Sequence, residues 1–370
     1  MLRYLAPLLL AFSASARFPL HSWDTLPSFF HSSLMCADVW AAADLAVIAK
    51  YPAVTIEKWQ GCASVPRCYR PHGGPPPAAP CPTQQEATLA TARALRAINP
   101  SISIFTWLDS LRVYSNASMN PNIIDISSQS CVRNALSPYL ESHPHLLLHN
   151  ASGGLALESY LHAHVFDHTQ PAVRDLWRDF CVNQTRGGLL DGCGADASQQ
   201  TGAYIPGLAP AVAAAWTSGH VAAVAATTAA LAPAGGLVLG KLANQLGVST
   251  NGVLQEGCGA DNATVNTLRA VAAAALAANT RYLYECHFTV SSEDTIAAFL
   301  VGAGADTYYG TGPWLTPCGG VERPGVLDKA LGAPLADGAY ADGVWTRAFA
   351  SGTRATFNAD TGKGSVVWAA

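Results

Sequence analysis

The sequence predicts an α/β fold, namely a (β/α)8 TIM barrel with a short C-terminal β-hairpin. Short apolar or β-branched runs alternate with helical segments along the 370 residues, as expected for parallel strands joined by crossover helices. The number of candidate strands is close to eight, and such a barrel takes ~250 residues or more. No linker separates a second domain, so residues 17–370 are predicted to form one domain.

The candidate strands are apolar runs bounded by turn residues. One more is present than a barrel needs, and the connection from Lys241 to Gly252 is short for a crossover helix, so a doubly wound sheet is the competing fold. In chain order the candidates are 29–33, 53–59, 101–108, 163–169, 189–196, 236–243, 252–257, 281–288 and 305–312.

Helix signals lie between several of these strands. Thr83 and Glu86 form a capping box, which opens a helix that ends before Pro100. The tail at about 343–369 predicts a β-hairpin, with turn residues at 358–364. Other helices are predicted from Pro171 through Phe180, after a cap at Ser291–Asp294, and over the Ala-rich segments 210–231 and 264–280, which are too short to span a membrane.

The N-terminus predicts a secreted protein. Residues 1–16 hold an arginine, a short apolar run and Ala14-Ser15-Ala16, which is the pattern of a signal peptide; a buried N-terminal helix is the alternative. An even count of 10 cysteines favours disulfides in an oxidising compartment. Cys193 and Cys258 are not expected to pair, because one lies within the barrel wall and the other at its rim. Asn-x-Ser/Thr sequons begin at Asn116, Asn150, Asn183 and Asn262.

Composition and motifs exclude several function classes. The formal net charge is -4 and no run of lysine or arginine occurs, so a nucleic acid partner is not expected. The pairs His162/His164 and His143/His145 lack a third ligand at a recognised spacing, so no metal is predicted. Neither Gly-x-Ser-x-Gly nor a dinucleotide-binding Gly-x-Gly-x-x-Gly is present. We therefore expect neither a serine nucleophile nor a cofactor.

Polar residues end many of the predicted strands, and in a barrel those ends form the working face. Carboxylates dominate this group, and two of them can cleave a glycosidic bond as an acid and a nucleophile or base. Aromatic side chains nearby can stack on sugar rings. The strand-end residues are Glu57, Asp109, Asp167, Asp196, Lys241, Glu256 and Glu285, and the aromatic residues are Trp59, Trp107, Tyr308, Tyr309 and Trp314.

Several of these carboxylates have a structural alternative. Asp167 can cap the helix that begins near Pro171, and Glu57 can pair with a neighbouring lysine. Glu285 can be a strand residue that faces a polar cleft, whereas Asp191 starts its strand and is assigned to stability. Asp196 and Glu256, which each end a short apolar strand without an obvious partner in sequence, are the predicted catalytic pair.

Four motifs in order resemble the TIM-barrel glycosidases of the hypothetical glycosyl hydrolase families, which are distantly similar to α-galactosidase-like and polygalactosaminidase-like barrels. Residues 166–174 with Trp177 resemble their D-x-T-x-P-x-x-R…W segment. The stretch 191–196 is similar to their DG-x-x-x-D, although Cys, Gly and Ala replace the usual bulky residues. The G-x-x-x-E strand corresponds to 252–256, and Arg347, Phe349 and Gly352 match a closing R-x-F-x-x-G.

The resemblance covers roughly residues 28–360 and implies a (β/α)8 barrel that acts on an oligo- or polysaccharide. It places an active-site aspartate at Asp196 and an acidic partner at Glu256. The leading hypothesis is a secreted glycoside hydrolase, with the other strand-end and aromatic residues binding substrate. The alternative is a secreted carbohydrate-binding barrel without catalysis. Which carboxylate is the acid stays open at this point.

Overall fold

Eight parallel strands close into a barrel in the computed structural model, which describes residues 18–34, 37–61, 83–113, 136–160, 162–242, 249–313, 315–316 and 320–369. Within these ranges the strands, in chain order, are β1 (Ser28–Leu34), β2 (Ala53–Ile56), β3 (Ser103–Asp109), β4 (Arg112–Val113), β5 (His164–Val165), β6 (Gly192–Asp196), β7 (Leu237–Lys241), β8 (Gly252–Cys258), β9 (Leu283–Phe288), β10 (Thr307–Thr311), β11 (Leu315–Thr316), β12 (Ala339–Ala341), β13 (Val344–Ala348), β14 (Arg354–Asn358) and β15 (Lys363–Val367). The barrel runs β1-β2-β3-β6-β7-β8-β9-β10, and the pairing of β10 with β1 closes it.

The predicted fold class is therefore confirmed, with both FFHSS as the first barrel strand and ADTYYGTG as the last. The predicted strand at 163–169 is wrong as a barrel strand. Only β5 forms there, and it pairs antiparallel with β4 in the connection between β3 and β6. Its Val165 packs in a separate apolar cluster with Leu111 and Trp216, so its burial comes from this connection and not from the barrel wall.

The described ranges contain the five helices predicted from the sequence and two that were not predicted, the first and the third in chain order. They are α1 (Ala42–Ile48), α2 (Gln84–Ile98), α3 (Leu136–Ser142), α4 (Pro171–Thr185), α5 (Pro210–Leu231), α6 (Asn262–Ala277) and α7 (Glu293–Gly302). The Thr83 capping box is confirmed by bonds in both directions with Glu86. The helix predicted at 264–280 begins earlier because the Asp261 side chain accepts from the Thr264 N–H at 2.6 Å. None of the helices in the described ranges is long and apolar enough to cross a membrane.

The C-terminal extension is larger than the predicted hairpin. Strands β12 to β15 form a four-stranded antiparallel sheet in chain order. This sheet docks on the first turn of α7, where Asp294 accepts from the Gly364 N–H at 2.8 Å and Glu293 accepts from the Val366 N–H at 3.0 Å. The predicted signal peptide and the cysteine-rich loop around 62–81 lie outside the described residues.

Alternate residues of each strand face the barrel interior or the helices, as the two-residue period of a strand requires. An apolar cluster fills the interior, and it comprises Phe29, Ala53, Phe105, Trp107, Leu237, Leu239, Leu254, Leu283 and Tyr308. Cys193 is on the outward face and forms a disulfide with Cys181 of α4, whereas Cys258 pairs with Cys286. The expectation that Cys193 and Cys258 do not pair is thereby confirmed.

The small residues of the GCGAD strand make room for large interior side chains. A Cβ atom added to Gly194 would lie 1.6 Å from Trp107 Cε3, and one added to Gly192 would lie 2.0 Å from the Leu237 carbonyl oxygen. Trp107 and Phe105 thus occupy the space that bulky residues on β6 would otherwise fill. The departure of residues 191–196 from the family pattern is a compensated packing arrangement.

Replacing Gly194 with alanine is expected to lower the free energy of unfolding by about 3 kcal/mol. Overpacking a core costs about 1–3 kcal/mol, and the upper value applies here because Trp107 is fully buried and cannot move aside into solvent. Denaturant unfolding would measure the change. Gly187→Ala is the matched control, because its added Cβ meets no atom within 4 Å. Equal unfolding midpoints for the two variants would contradict this account of the strand.

Candidate active site

A ring of polar side chains stands at the carboxyl end of the barrel strands, which we call the mouth. Each member lies an even number of positions after an inward-facing residue of its strand, so the strand period turns it toward the barrel axis. In order around the barrel these residues are His31, Glu57, Asp109, Asp196, Lys241, Glu256, Glu285 and His287. The predicted pair Asp196 and Glu256 therefore belongs to one ring.

Two lysines link the carboxylates of this ring into a chain of ion pairs. Lys58 Nζ lies 2.6 Å from Asp196 Oδ2 and 2.8 Å from Glu57 Oε1. Lys241 Nζ lies 2.5 Å from Glu256 Oε2 and 3.4 Å from Asp196 Oδ1. Asp196 is the centre of the chain, because it contacts both lysines and accepts a further bond from the Ala197 N–H at 2.7 Å.

The shared lysine brings the predicted catalytic carboxylates close together. Asp196 Oδ1 and Glu256 Oε2 cannot be farther apart than the sum of their 3.4 Å and 2.5 Å distances to Lys241 Nζ. That limit applies to one pair of oxygen atoms, and it accommodates the ~5–5.5 Å between the carboxyl groups of a retaining enzyme. The side chain of Glu256 is 30% exposed and that of Asp196 is 8% exposed, so Glu256 is the more open to solvent.

The surroundings drive the two carboxyl pKa values in opposite directions. Burial alone would raise the pKa of Asp196, but the charges of Lys58, Lys241 and Arg112 outweigh it and hold that pKa well below its usual range. Burial raises the pKa of Glu256, and the negative charge of Asp196 adds to the increase despite Lys241. An ionised aspartate and a protonatable glutamate are the two states that a nucleophile and an acid require.

Beneath this pair, a buried histidine lies between two glutamates. His31 Nε2 is 3.9 Å from Glu57 Oε1 and His31 Nδ1 is 3.8 Å from Glu285 Oε2. Burial opposes the charged imidazole, but the two carboxylates outweigh it and raise the pKa of His31 to about 9. Gly310 leaves space for Glu285, because a Cβ there would lie 2.7 Å from Glu285 Oε1. Burial also raises the pKa of Glu285, so His31 is the group of this trio that most readily carries a proton at neutral pH.

Asp109 builds the turn that follows β3. Its carboxylate accepts from the Leu111 N–H at 2.9 Å and from the Arg112 N–H at 2.7 Å, and its other oxygen pairs with the Arg112 guanidinium at 3.1 Å. The same guanidinium lies 3.5 Å from Glu158 Oε1. Asp109 thus places a third cation near Asp196.

The structure does not bring all the predicted binding residues to the mouth. Trp59 lies at the mouth, 5.7 Å from Lys58 Nζ, and Trp107 is wholly buried one layer beneath. Tyr308 is near the start of β10 and contacts the Pro19 carbonyl at 3.3 Å, at the opposite end of the barrel. Asp167 is held by Thr169 and Gln170, so it shapes the turn before α4, where Gln170 is the N-cap residue. Trp314 lies outside the described residues.

Sequence reasoning missed four charged or titratable members of the site, namely His31, Lys58, Arg112 and His287. The strand period could have found His31 and His287, because they lie two residues after the inward-facing Phe29 and Glu285. Lys58 was considered only as a neighbour that Glu57 can pair with, a contact that the structure shows at 2.8 Å, and Arg112 carried no signal. Asp191, by contrast, accepts from Arg96 at 2.5 Å and the Ile104 N–H at 2.8 Å at the closed end of the barrel, in keeping with its assignment to stability. In the described ranges, no group of three or more His, Cys, Asp and Glu side chains is placed to hold a metal ion.

A closed parallel barrel with an acidic mouth is the architecture of the glycoside hydrolase-like TIM barrels. The sequence profile described as hypothetical glycosyl hydrolase family 15 matches residues 96–353. The chain belongs to this family, and the resemblance drawn from its motifs is confirmed. The first two barrel strands precede the matched range, and they supply His31, Glu57 and Lys58 to the mouth. No curated protein matches the chain by sequence.

Solved structures with a similar fold include several carbohydrate-active enzymes. A noncanonic maltogenic alpha-amylase, AmyB from Thermotoga neapolitana, superposes with a TM-score of 0.50 at 10% identity, over 90% of this chain and 86% of the amylase. The xylosidase from Aspergillus niger gives 0.48 at 9% identity over 84% of this chain, and the chain spans only 47% of the xylosidase. At 10% identity the likeness to the amylase concerns the fold alone.

Proposed function

We propose that the protein is a retaining glycoside hydrolase in which Asp196 is the nucleophile and Glu256 is the acid and base. The observation that carries this proposal is the shared contact of both carboxylates with Lys241, combined with their opposite pKa shifts. Lys58 and Lys241 keep Asp196 ionised. Glu256 keeps its proton more readily and is open enough to meet a leaving group.

The reaction follows from these two states. An oxygen of Asp196 attacks the anomeric carbon while the Glu256 carboxylic acid gives its proton to the leaving glycosidic oxygen, which breaks the C–O bond. The Glu256 carboxylate then takes a proton from water, and that water attacks the anomeric carbon and releases Asp196. Two displacements at one carbon restore its configuration.

We also propose that the protein acts outside the cell or in the secretory lumen. The two disulfides of the described chain support this placement, because disulfides persist in oxidising compartments. The predicted signal peptide of residues 1–16 agrees with it.

A carbohydrate-binding barrel without catalysis is the second candidate function. The position of Lys241 favours it, since Nζ stands between the two carboxylates, where a retaining enzyme holds the anomeric carbon. For catalysis this ammonium group must give way when a sugar binds. A binding protein would keep the ion pairs intact.

A screen of aryl glycosides and oligosaccharides, followed by NMR of the first anomer released, tests the proposal. We expect hydrolysis of at least one substrate, with the product in the configuration of the substrate. Release of the opposite anomer would show inversion and overturn the assigned mechanism. Saturable binding on a glycan array without any product would instead support the binding protein.

A further inference from the structure

Behind Asp196, away from the mouth, lies a buried group that the proposed reaction does not use. It comprises Ser110, His168 and His220, which we call the Ser110 network. The three residues are at most 1% exposed. They come from the turn after β3, from the turn before α4 and from α5, so three separate elements converge on the end of β6.

Ser110 donates two hydrogen bonds to the main chain of Asp196. Its N–H lies 3.0 Å from the Asp196 carbonyl oxygen, and its hydroxyl lies 2.6 Å from the same oxygen. The next residue, Ala197, has a φ of 57°, in the left-handed region that a non-glycine residue occupies only when its surroundings hold it there. Ala197 also donates its N–H to Asp196 Oδ1. Backbone position and carboxylate orientation at Asp196 are therefore coupled.

Two histidines hold Ser110 in turn. His168 Nε2 lies 2.7 Å from the Ser110 carbonyl oxygen, and His220 Nε2 lies 2.8 Å from Ser110 Oγ. The two imidazole rings stack with centroids 5.0 Å apart, and the Trp216 ring packs 4.8 Å from that of His220. Burial lowers the pKa of His168 to about 4 and that of His220 to about 3, so both rings are neutral at ordinary pH.

Bond lengths and hydrogen counting together assign the direction of these bonds, since the shortest contact of the Ser110 hydroxyl is with the Asp196 carbonyl. A serine hydroxyl has one hydrogen and a carbonyl oxygen can only accept, so the 2.6 Å contact to the Asp196 carbonyl uses that hydrogen. His220 must then donate to Ser110 from Nε2–H. In this tautomer Nδ1 carries no hydrogen, so the 3.3 Å contact with the Gln200 carbonyl, the longest made by this ring, is the one left without a donor. The chain of donors runs from His220 through Ser110 to Asp196.

We infer that Ser110 and His220 are positioning residues that aim the Asp196 carboxylate at the anomeric carbon. This inference rests on the proposed role of Asp196 as nucleophile. None of the three side chains faces the mouth, so their effect passes through the Asp196 main chain. A displacement of about 1 Å at a reacting group can cost about 100-fold in rate.

Four variants test the inference. Ser110→Ala removes the hydroxyl donor, and His220→Leu removes the imidazole donor. His220→Gln keeps an N–H near the position of Nε2. Thr227→Val is the matched control, because Thr227 is equally buried on the same helix and its hydroxyl bonds only within that helix, to the Ala223 carbonyl at 2.8 Å.

We expect Ser110→Ala and His220→Leu to lower kcat, and the rate at which a 2-fluoro glycoside labels Asp196, by about 10–100-fold. KM should stay within about two-fold, as expected when only the transition state loses an interaction. His220→Gln and Thr227→Val should stay near the wild-type rates. If His220→Gln loses as much as His220→Leu, or if neither Ser110→Ala nor His220→Leu slows labelling, the inference is wrong.

Amide hydrogen exchange separates this inference from the proposed function. Peptides that span the end of β6 should exchange faster in Ser110→Ala and His220→Leu, but not in Thr227→Val. Unchanged exchange in that segment would overturn the positioning role whether or not the protein is an enzyme. Faster exchange in a protein that hydrolyses no glycoside would show that the network holds the Asp196 main chain, but it would refute the proposed function and with it the catalytic role of that positioning. Should Ser110→Ala fail to fold, the two His220 variants decide.

Discussion

Replacing Asp196 with asparagine is expected to abolish glycoside hydrolysis, with a loss of kcat on the order of 10⁵-fold, the scale seen when a nucleophile is removed. Asparagine keeps the size of the side chain but cannot attack the anomeric carbon. The fold should survive, because the Asp196 carbonyl keeps its bonds from Ser110 and the amide oxygen can still accept from the Ala197 N–H. Initial rates on the substrate found by the screen, with a circular dichroism spectrum, would measure both effects.

The second GCGAD stretch supplies a matched control for this variant. Asp261→Asn makes the same chemical change at the last residue of the same five letters. Asp261 is the N-cap of α6, and asparagine caps a helix as well as aspartate does. Activity should therefore be unchanged. Hydrolysis by Asp196→Asn at the control's rate would remove Asp196 from the reaction.

These two stretches also show how far strand period carries a prediction. In the first copy GCGAD is the whole of β6, so Asp196 faces the barrel axis. In the second copy the strand runs on to Cys258 with a bulge after Glu256, beyond the end predicted from sequence. Glu256 keeps the inward phase of Leu254 because the irregularity comes after it. Period and strand ends together were sufficient to place both carboxylates at the mouth.

Ion pairing at the mouth could not be predicted in the same way. Lys58 and Asp196 are 138 residues apart in sequence, and their contact depends on the lengths of β2 and β6 around the barrel. The hydrogen bond between Ser110 and His220 joins a turn to a helix across 110 residues of sequence, so neither residue type nor local spacing predicts it. The aromatic predictions were weaker for a related reason. The position of an aromatic residue along its strand decides whether the side chain lies at the mouth, in the core or at the closed end. Strand ends predicted from sequence are uncertain by a few residues, so the positions of Trp107 and Tyr308 could not be told from the sequence.

Replacing Glu256 with glutamine is expected to slow hydrolysis in proportion to the need for acid assistance. A positioned acid contributes about 10²–10⁴-fold, so substrates with alkyl or sugar leaving groups should lose that much in kcat/KM. A dinitrophenyl glycoside needs little protonation and should be cleaved with a nearly unchanged first step. Comparing kcat/KM across a series of leaving groups would measure this difference. Glu322→Gln, at an exposed glutamate, is the control for loss of a carboxylate.

The pH profile gives an independent signature of the same residue. The wild-type rate should fall on the acid side as Asp196 becomes protonated, and the lowered pKa of Asp196 puts that limb at low pH. On the alkaline side the rate should fall as Glu256 loses its proton, and its raised pKa moves that limb above the usual range of a glutamate. Glu256→Gln should lose the alkaline limb and keep the acid limb.

Azide separates the acid role of Glu256 from its later role as base. In Glu256→Gln the glycosyl-enzyme on Asp196 lacks a base to activate water, whereas azide attacks the anomeric carbon without one. Added azide should therefore restore turnover of the dinitrophenyl glycoside and give a glycosyl azide of retained configuration. A glycosyl azide of inverted configuration would mean that azide had attacked in place of Asp196 rather than in place of water. In that case the two carboxylates would have to exchange their assigned roles.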